Sequence, residues 1–106
     1  MYWLQKARIL CTTQQRANQL ENQINTQLAG VSLRNPVFIQ QIADAGQPRP
    51  RLVIYAEYLI KAEADNIWAQ ITTANTNGWI VSESVVIYAA MNDDGSLNTL
   101  IDRQVW

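Results

Sequence analysis

Histidine is absent from the 106 residues, and cysteine occurs once, at Cys11. No Ser–His or Cys–His nucleophile can form, and the commonest zinc ligand is missing. A lone cysteine excludes an internal disulfide, which fits a reducing, cytoplasmic setting. Basic excess is missing as well. Eight Lys and Arg against nine Asp and Glu leave a net charge of -1. The overall balance therefore does not favour nucleic acid or an anionic membrane as a partner. Apolar runs are short, the clearest being Val85 to Met91, and none is long enough to span a bilayer. The opening Met-Tyr-Trp-Leu-Gln-Lys-Ala-Arg lacks the basic-then-apolar order of a signal peptide. No glycine-rich phosphate loop, metal-ligand cluster or catalytic triad is present, so no cofactor and no metal is expected.

The chain carries 48% hydrophobic residues, enough for one folded domain over residues 1–106. Eleven Gln and nine Asn replace charge as the main source of surface polarity. The stretch from Leu52 to Ile60 organises the rest. Its even positions (Leu52, Ile54, Ala56, Tyr58, Ile60) carry no charge, and its odd positions are apolar except Glu57. A strand apolar on both faces predicts the centre of a sheet.

In chain order, residues 3–11 predict a strand with Trp3, Ala7, Ile9 and Cys11 on one face and Leu4, Lys6, Arg8 and Leu10 on the other. Thr12 and Thr13 offer N-cap hydroxyls, with Gln15 placed for a capping box after Thr12. The helix that follows has the apolar stripe Ala17, Leu20, Ile24 and Leu28, and Gly30 is placed to end it in the left-handed conformation. A second strand is expected from Val37 to about Ala43. The two prolines of 45–51 then require a loop before strand 52–60. Residues 61–76 form a second helix with Ala64, Ile67, Trp68, Ile71 and Ala74 on its apolar face, stopped by Asn77-Gly78. Trp79 to Met91 reads as strand, bent near 82–84. Asn92-Asp93-Asp94-Gly95 marks a turn, lacking the spacing and terminal Glu of a calcium loop, and 97–106 returns as a last strand.

The order β-α-β-β-α-β with an added C-terminal strand resembles the split βαβ of ferredoxin-like α+β folds. The resemblance implies an antiparallel sheet with two helices on one face and strands one and three in the centre. The opposite face would then show Lys6 and Arg8 beside Val53, Tyr55, Glu57 and Leu59, with Val81, Glu83, Val85 and Ile87 joining by parity.

Three readings of that open face stand side by side. A second copy covers it, with Lys6 or Arg8 pairing with Glu57 or Glu83. The chain's own end, with Leu100, Ile101 and Trp106, folds across it. A small ligand occupies it, meeting Glu57, Tyr55 and Arg8. Glu57 and Glu83 could serve as paired carboxylates for acid–base work, but cross-strand ion pairs with Lys6 and Arg8 are the plainer expectation. Cys11, among apolar neighbours, reads as a small hydrophobe rather than a nucleophile. Arg49 and Arg51, with Arg34 close by, are candidates for binding an anion, set against a role as soluble loop tips. Trp68 belongs to the core, while Trp3, Trp79 and Trp106 at the ends of elements remain open to an interface or a ligand.

The functional expectation is a non-enzymatic module that forms homo-oligomers, a dimer first, or docks a protein partner through its open face. The alternative is a small-ligand binder or cofactor-free enzyme of the dimeric α+β barrel kind. A second alternative is a phage or mobile-element accessory or structural protein.

Overall fold

Alternation along the first nine residues of regular structure sorts side chains onto two unlike surfaces, and the sheet grows from that strand. The computed structural model describes residues 1–42 and 49–106. Its elements run β1 (Tyr2–Leu10), α1 (Gln14–Leu28), β2 (Phe38–Ile42), β3 (Arg51–Tyr58), α2 (Lys61–Thr76), β4 (Val85–Met91) and β5 (Leu97–Val105). The fold is α+β, with a five-stranded sheet in the order β2-β3-β1-β4-β5. Every neighbouring pair is antiparallel, and β1 and β3 lie inside the sheet. Among the described residues no helix is long and apolar enough to cross a membrane.

One face of the sheet takes both helices. Ala7 and Ile9 of β1, Leu52, Ile54, Ala56 and Tyr58 of β3, and Val86 and Tyr88 of β4 form one buried cluster with the stripes of α1 and α2. Both stripes are the expected ones: Ala17, Leu20, Ile24 and Leu28 of α1, and Ala64, Ile67, Trp68, Ile71 and Ala74 of α2. Each large side chain so buried is worth roughly 1.5–3 kcal/mol. A one-residue slip of β3 would turn its whole set outward, so burial fixes the register.

The helix ends depart in detail from expectation. Thr13, not Thr12, is the N-cap of α1, and its hydroxyl accepts from the Arg16 N–H at 3.1 Å, so no capping box forms with Gln15. Gly30 is not left-handed. α1 closes by short-range turns, with Gly30 N–H donating to Gln27 and Val31 N–H to Leu28. Gly78 does adopt the left-handed conformation (φ 78°) that ends α2. There Trp79 N–H reaches Ala74 O and Gly78 N–H reaches Asn75 O, the paired bonds of a Schellman stop.

Strand limits differ as well. β3 stops at Tyr58, and Leu59 and Ile60 turn outward, with Ile60 capping α2. The expected strand from Trp79 is broken: Ile80 makes one bridge to Cys11, the chain turns at 82–83, and β4 starts only at Val85. The 92–95 turn forms, with Gly95 at φ 88° and its N–H on Asn92 O. β5 then pairs alongside β4 within the sheet. It does not fold across the open face, because its backbone groups complete the β4 edge and Asp102 accepts from the Trp68 indole of α2 at 3.0 Å. Trp3, Trp79 and Trp106 are partly buried against the core.

Candidate binding surface

The face opposite the helices can be read row by row from the register. One row runs Gln40, Val53, Arg8, Val85, Val105, and the next runs Phe38, Tyr55, Lys6, Ile87, Arg103. A third carries Glu57, Leu4, Ala89 and Leu100. Lys6, Arg8, Val53, Tyr55, Val85 and Ile87 surround a hollow of about 360 Å³. Five of the residues singled out from the sequence, Lys6, Arg8, Val53, Tyr55 and Val85, thus come together here. Exposed apolar side chains continue outward from the hollow, with Phe38 47% exposed on β2 and Leu100 and Val105 50% and 65% exposed on β5.

The charges are arranged differently from the cross-strand pairs expected. Glu57 is buried, and both its oxygens are engaged locally. The Tyr55 hydroxyl donates to Oε1 at 2.9 Å, the Asn35 amide donates to Oε2, and the Arg34 guanidinium stands 3.7 Å from Oε2. Arg34 N–H also bonds the Glu57 carbonyl, which holds the α1–β2 loop against the end of β3. The same guanidinium lies 4.0 Å from the centre of the Tyr2 ring and donates to the Asp93 carbonyl. This loop, and not β1, supplies the partner of Glu57. Lys6 instead leans over the Tyr55 ring at 5.7 Å. Among the described residues neither Lys6 nor Arg8 has an ion pair.

The remaining candidates are scattered. Glu83 lies in the turn before β4, exposed and with φ 79°, so the parity that placed it and Val81 on the open face does not apply. Leu59 has left the sheet and is 48% exposed where the chain enters α2. Arg51 is the first residue of β3, opposite Leu10, whereas Arg49 is exposed beside the tip, and residues 43–48 lie outside the described residues. Arg34 is at the other end of β3 from these two, so the three arginines do not make one site. Cys11 is fully buried, and burial pushes its thiol up to about 11, which keeps it protonated at neutral pH. Among the described residues no three His, Cys, Asp or Glu side chains converge to hold a metal ion.

Polar groups that the sequence reading passed over lie under α2. Gln5 is fully buried on the helix face, its amide donating to the Ala64 carbonyl at 2.7 Å. Its parity with Ala7 and Ile9 was the available signal. Tyr88 donates to Asp65 at 2.6 Å, and its ring lies 5.3 Å from that of Trp68. Burial first, then the Tyr88 and Lys61 contacts, act on Asp65 in opposite senses, and the contacts win, holding its carboxyl below the usual value. Arg103, in the row of Lys6, is a further basic group of the open face that sequence parity had not placed. Compared with family models, with curated proteins and with solved structures, the chain gave no match.

Proposed function

We propose that this chain is a non-enzymatic assembly module that pairs, open face to open face, with a second copy of itself. The observation that carries the reading is the in-plane position of β5, which widens the face to five strands and leaves its rows through Arg8 and Lys6 open, while the α1–β2 loop covers the row of Glu57. The strand order is consistent with a ferredoxin-like arrangement carrying one extra edge strand. Five strands about 4.8 Å apart make the open rows roughly 24 Å across, and exposed Phe38, Leu100 and Val105 carry apolar contact to both edges. Glu57 already accepts hydrogen bonds on both oxygens, which weighs against its acting as a general base.

Charge gives this pairing a signature. Lys6, Arg8 and Arg103 all project from the face while Glu57 is engaged by the α1–β2 loop. Two such faces repel electrostatically, and apolar contact must outweigh the repulsion. Added salt, whose screening length is about 10 Å at 0.1 M, should therefore tighten the pair rather than loosen it. The test is light scattering after size exclusion over a range of protein and salt concentrations. The expected mass is twice the 12.0 kDa of the chain. Leu100→Lys should return it to one chain, and Lys6→Met should strengthen the pair at low salt. A single-chain mass at every concentration would refute the proposal.

A further inference from the structure

We propose that the hollow between β3, β1 and β4 binds an amphipathic organic anion, an apolar ring system or acyl chain ending in a carboxylate or sulfonate. The inference uses one chain only and does not rest on the pairing proposed above. At about 360 Å³ the hollow falls in the range of small-molecule sites, about 300–1,000 Å³. Its walls divide by chemistry. Val53, Val85, Ile87 and the Tyr55 ring offer an apolar bed, while Lys6 and Arg8 offer only donors. Two positions apart on β1, they place their positive charges on the same face, about 6.6 Å apart along the strand.

Among the described residues no carboxylate competes for these donors. Glu57, the nearest acid in the register, is already held by Tyr55, Asn35 and Arg34. Neither cation has an ion pair among the described residues. The other described acids lie elsewhere: Asp65 and Asp102 serve Tyr88 and Trp68 on the helix side, Glu21 and Glu63 on the helices accept from Gln41 and the Ser32 N–H, Glu83 is in the turn before β4, and Asp93 and Asp94 sit in the β4–β5 turn. A chain of net charge -1 therefore has a locally positive face, and a ligand feels the local field. The planar guanidinium of Arg8 can hold two oxygens of one anion, and the apolar bed covers the ligand body. A phosphate would have no use for the apolar walls. Between two paired chains the same anion would supply the negative charge that the facing Lys6 and Arg8 side chains lack.

The experiment is a fluorescence titration with 1-anilinonaphthalene-8-sulfonate and, in parallel, with N-phenyl-1-naphthylamine, which has the same rings and no charge. The expected result is about tenfold tighter binding of the sulfonate, lost in Lys6→Met/Arg8→Met, while binding of the neutral probe is unchanged. Arg16→Met, on α1, should behave as wild type. Val53→Trp, which fills the hollow and keeps both charges, should weaken both probes and serves if the double variant does not fold. Equal binding of the two probes, or an unchanged sulfonate affinity in the double variant, would overturn the proposal. So would tighter binding of a single-stranded oligothymidylate, which would make the face a nucleic-acid surface. Light scattering on the same samples separates the two proposals, since sulfonate binding to a single chain keeps the site and removes the pair.

Discussion

Tyr58 and Tyr88 project from neighbouring parts of the same sheet face into the same core, with relative exposures of 0% and 1%. Removing the hydroxyl of each should have opposite consequences. The Tyr58 hydroxyl has no hydrogen-bond partner among the described residues. A buried hydroxyl without a partner costs about 1–3 kcal/mol of lost hydration, so Tyr58→Phe should stabilise by about 1 kcal/mol. The Tyr88 hydroxyl donates to Asp65 at 2.6 Å. A bond to a charged acceptor is worth about 1.5–3 kcal/mol when enclosed. The Asp65 side chain is 46% exposed, so water takes over part of the bond, and a loss of about 1 kcal/mol is expected for Tyr88→Phe. In a domain of this size 1 kcal/mol moves the melting temperature by about 4–8 °C. Calorimetry, with urea unfolding as a second measure, should put the two variants on opposite sides of wild type. If Tyr58→Phe melts below wild type, the hydroxyl has a partner in solution, such as a buried water, and the reasoning fails.

Two further outcomes follow from the same structure. Burial raises the ionisation of Tyr58, and of Tyr88 with added help from Asp65, above the ordinary 10.0, and that of Cys11 from 9.0 to about 11. The unfolded chain then releases these protons first. Stability should be complete below about pH 9 and fall above it, by about 1.4 kcal/mol per pH unit for each group ionised only when unfolded. A urea midpoint that stays level from pH 8 to 11 would contradict this. Glu57→Gln replaces one acceptor oxygen with a donor that faces donors at Tyr55 or Asn35, and should cost about 1.5–3 kcal/mol. Amide hydrogen exchange of the loop 33–36 should quicken in this variant. Unchanged exchange and an unchanged urea midpoint would show that the carboxylate does not hold the loop.

The parts of this protein that sequence alone determined are those set by local periodicity. The four-residue stripe of α1 and the even positions of β3 reach the core because a helix and a strand repeat at fixed intervals, whatever they pack against. Asn77-Gly78 and Asn92–Gly95 were equally legible, since a left-handed turn asks for residue types that a reader can see. Parity also put Lys6, Arg8, Val53, Tyr55 and Val85 on one face, where the structure draws them around one hollow. It failed for Glu83 and Leu59, where the chain leaves the sheet and alternation ceases to mean anything. Only the tertiary structure decided the fate of individual polar groups. Glu57 faces β1 in register, yet beside Tyr55 its partners come from a loop more than twenty residues away, and among the described residues Lys6 and Arg8 have no ion pair. Tyr58 and Tyr88 are identical letters in similar strands, and one hydroxyl meets Asp65 while the other meets no partner among the described residues. Hydrogen bonds and ion pairs depend on separations of a few tenths of an ångström between segments distant in sequence, and the folded arrangement alone sets those distances.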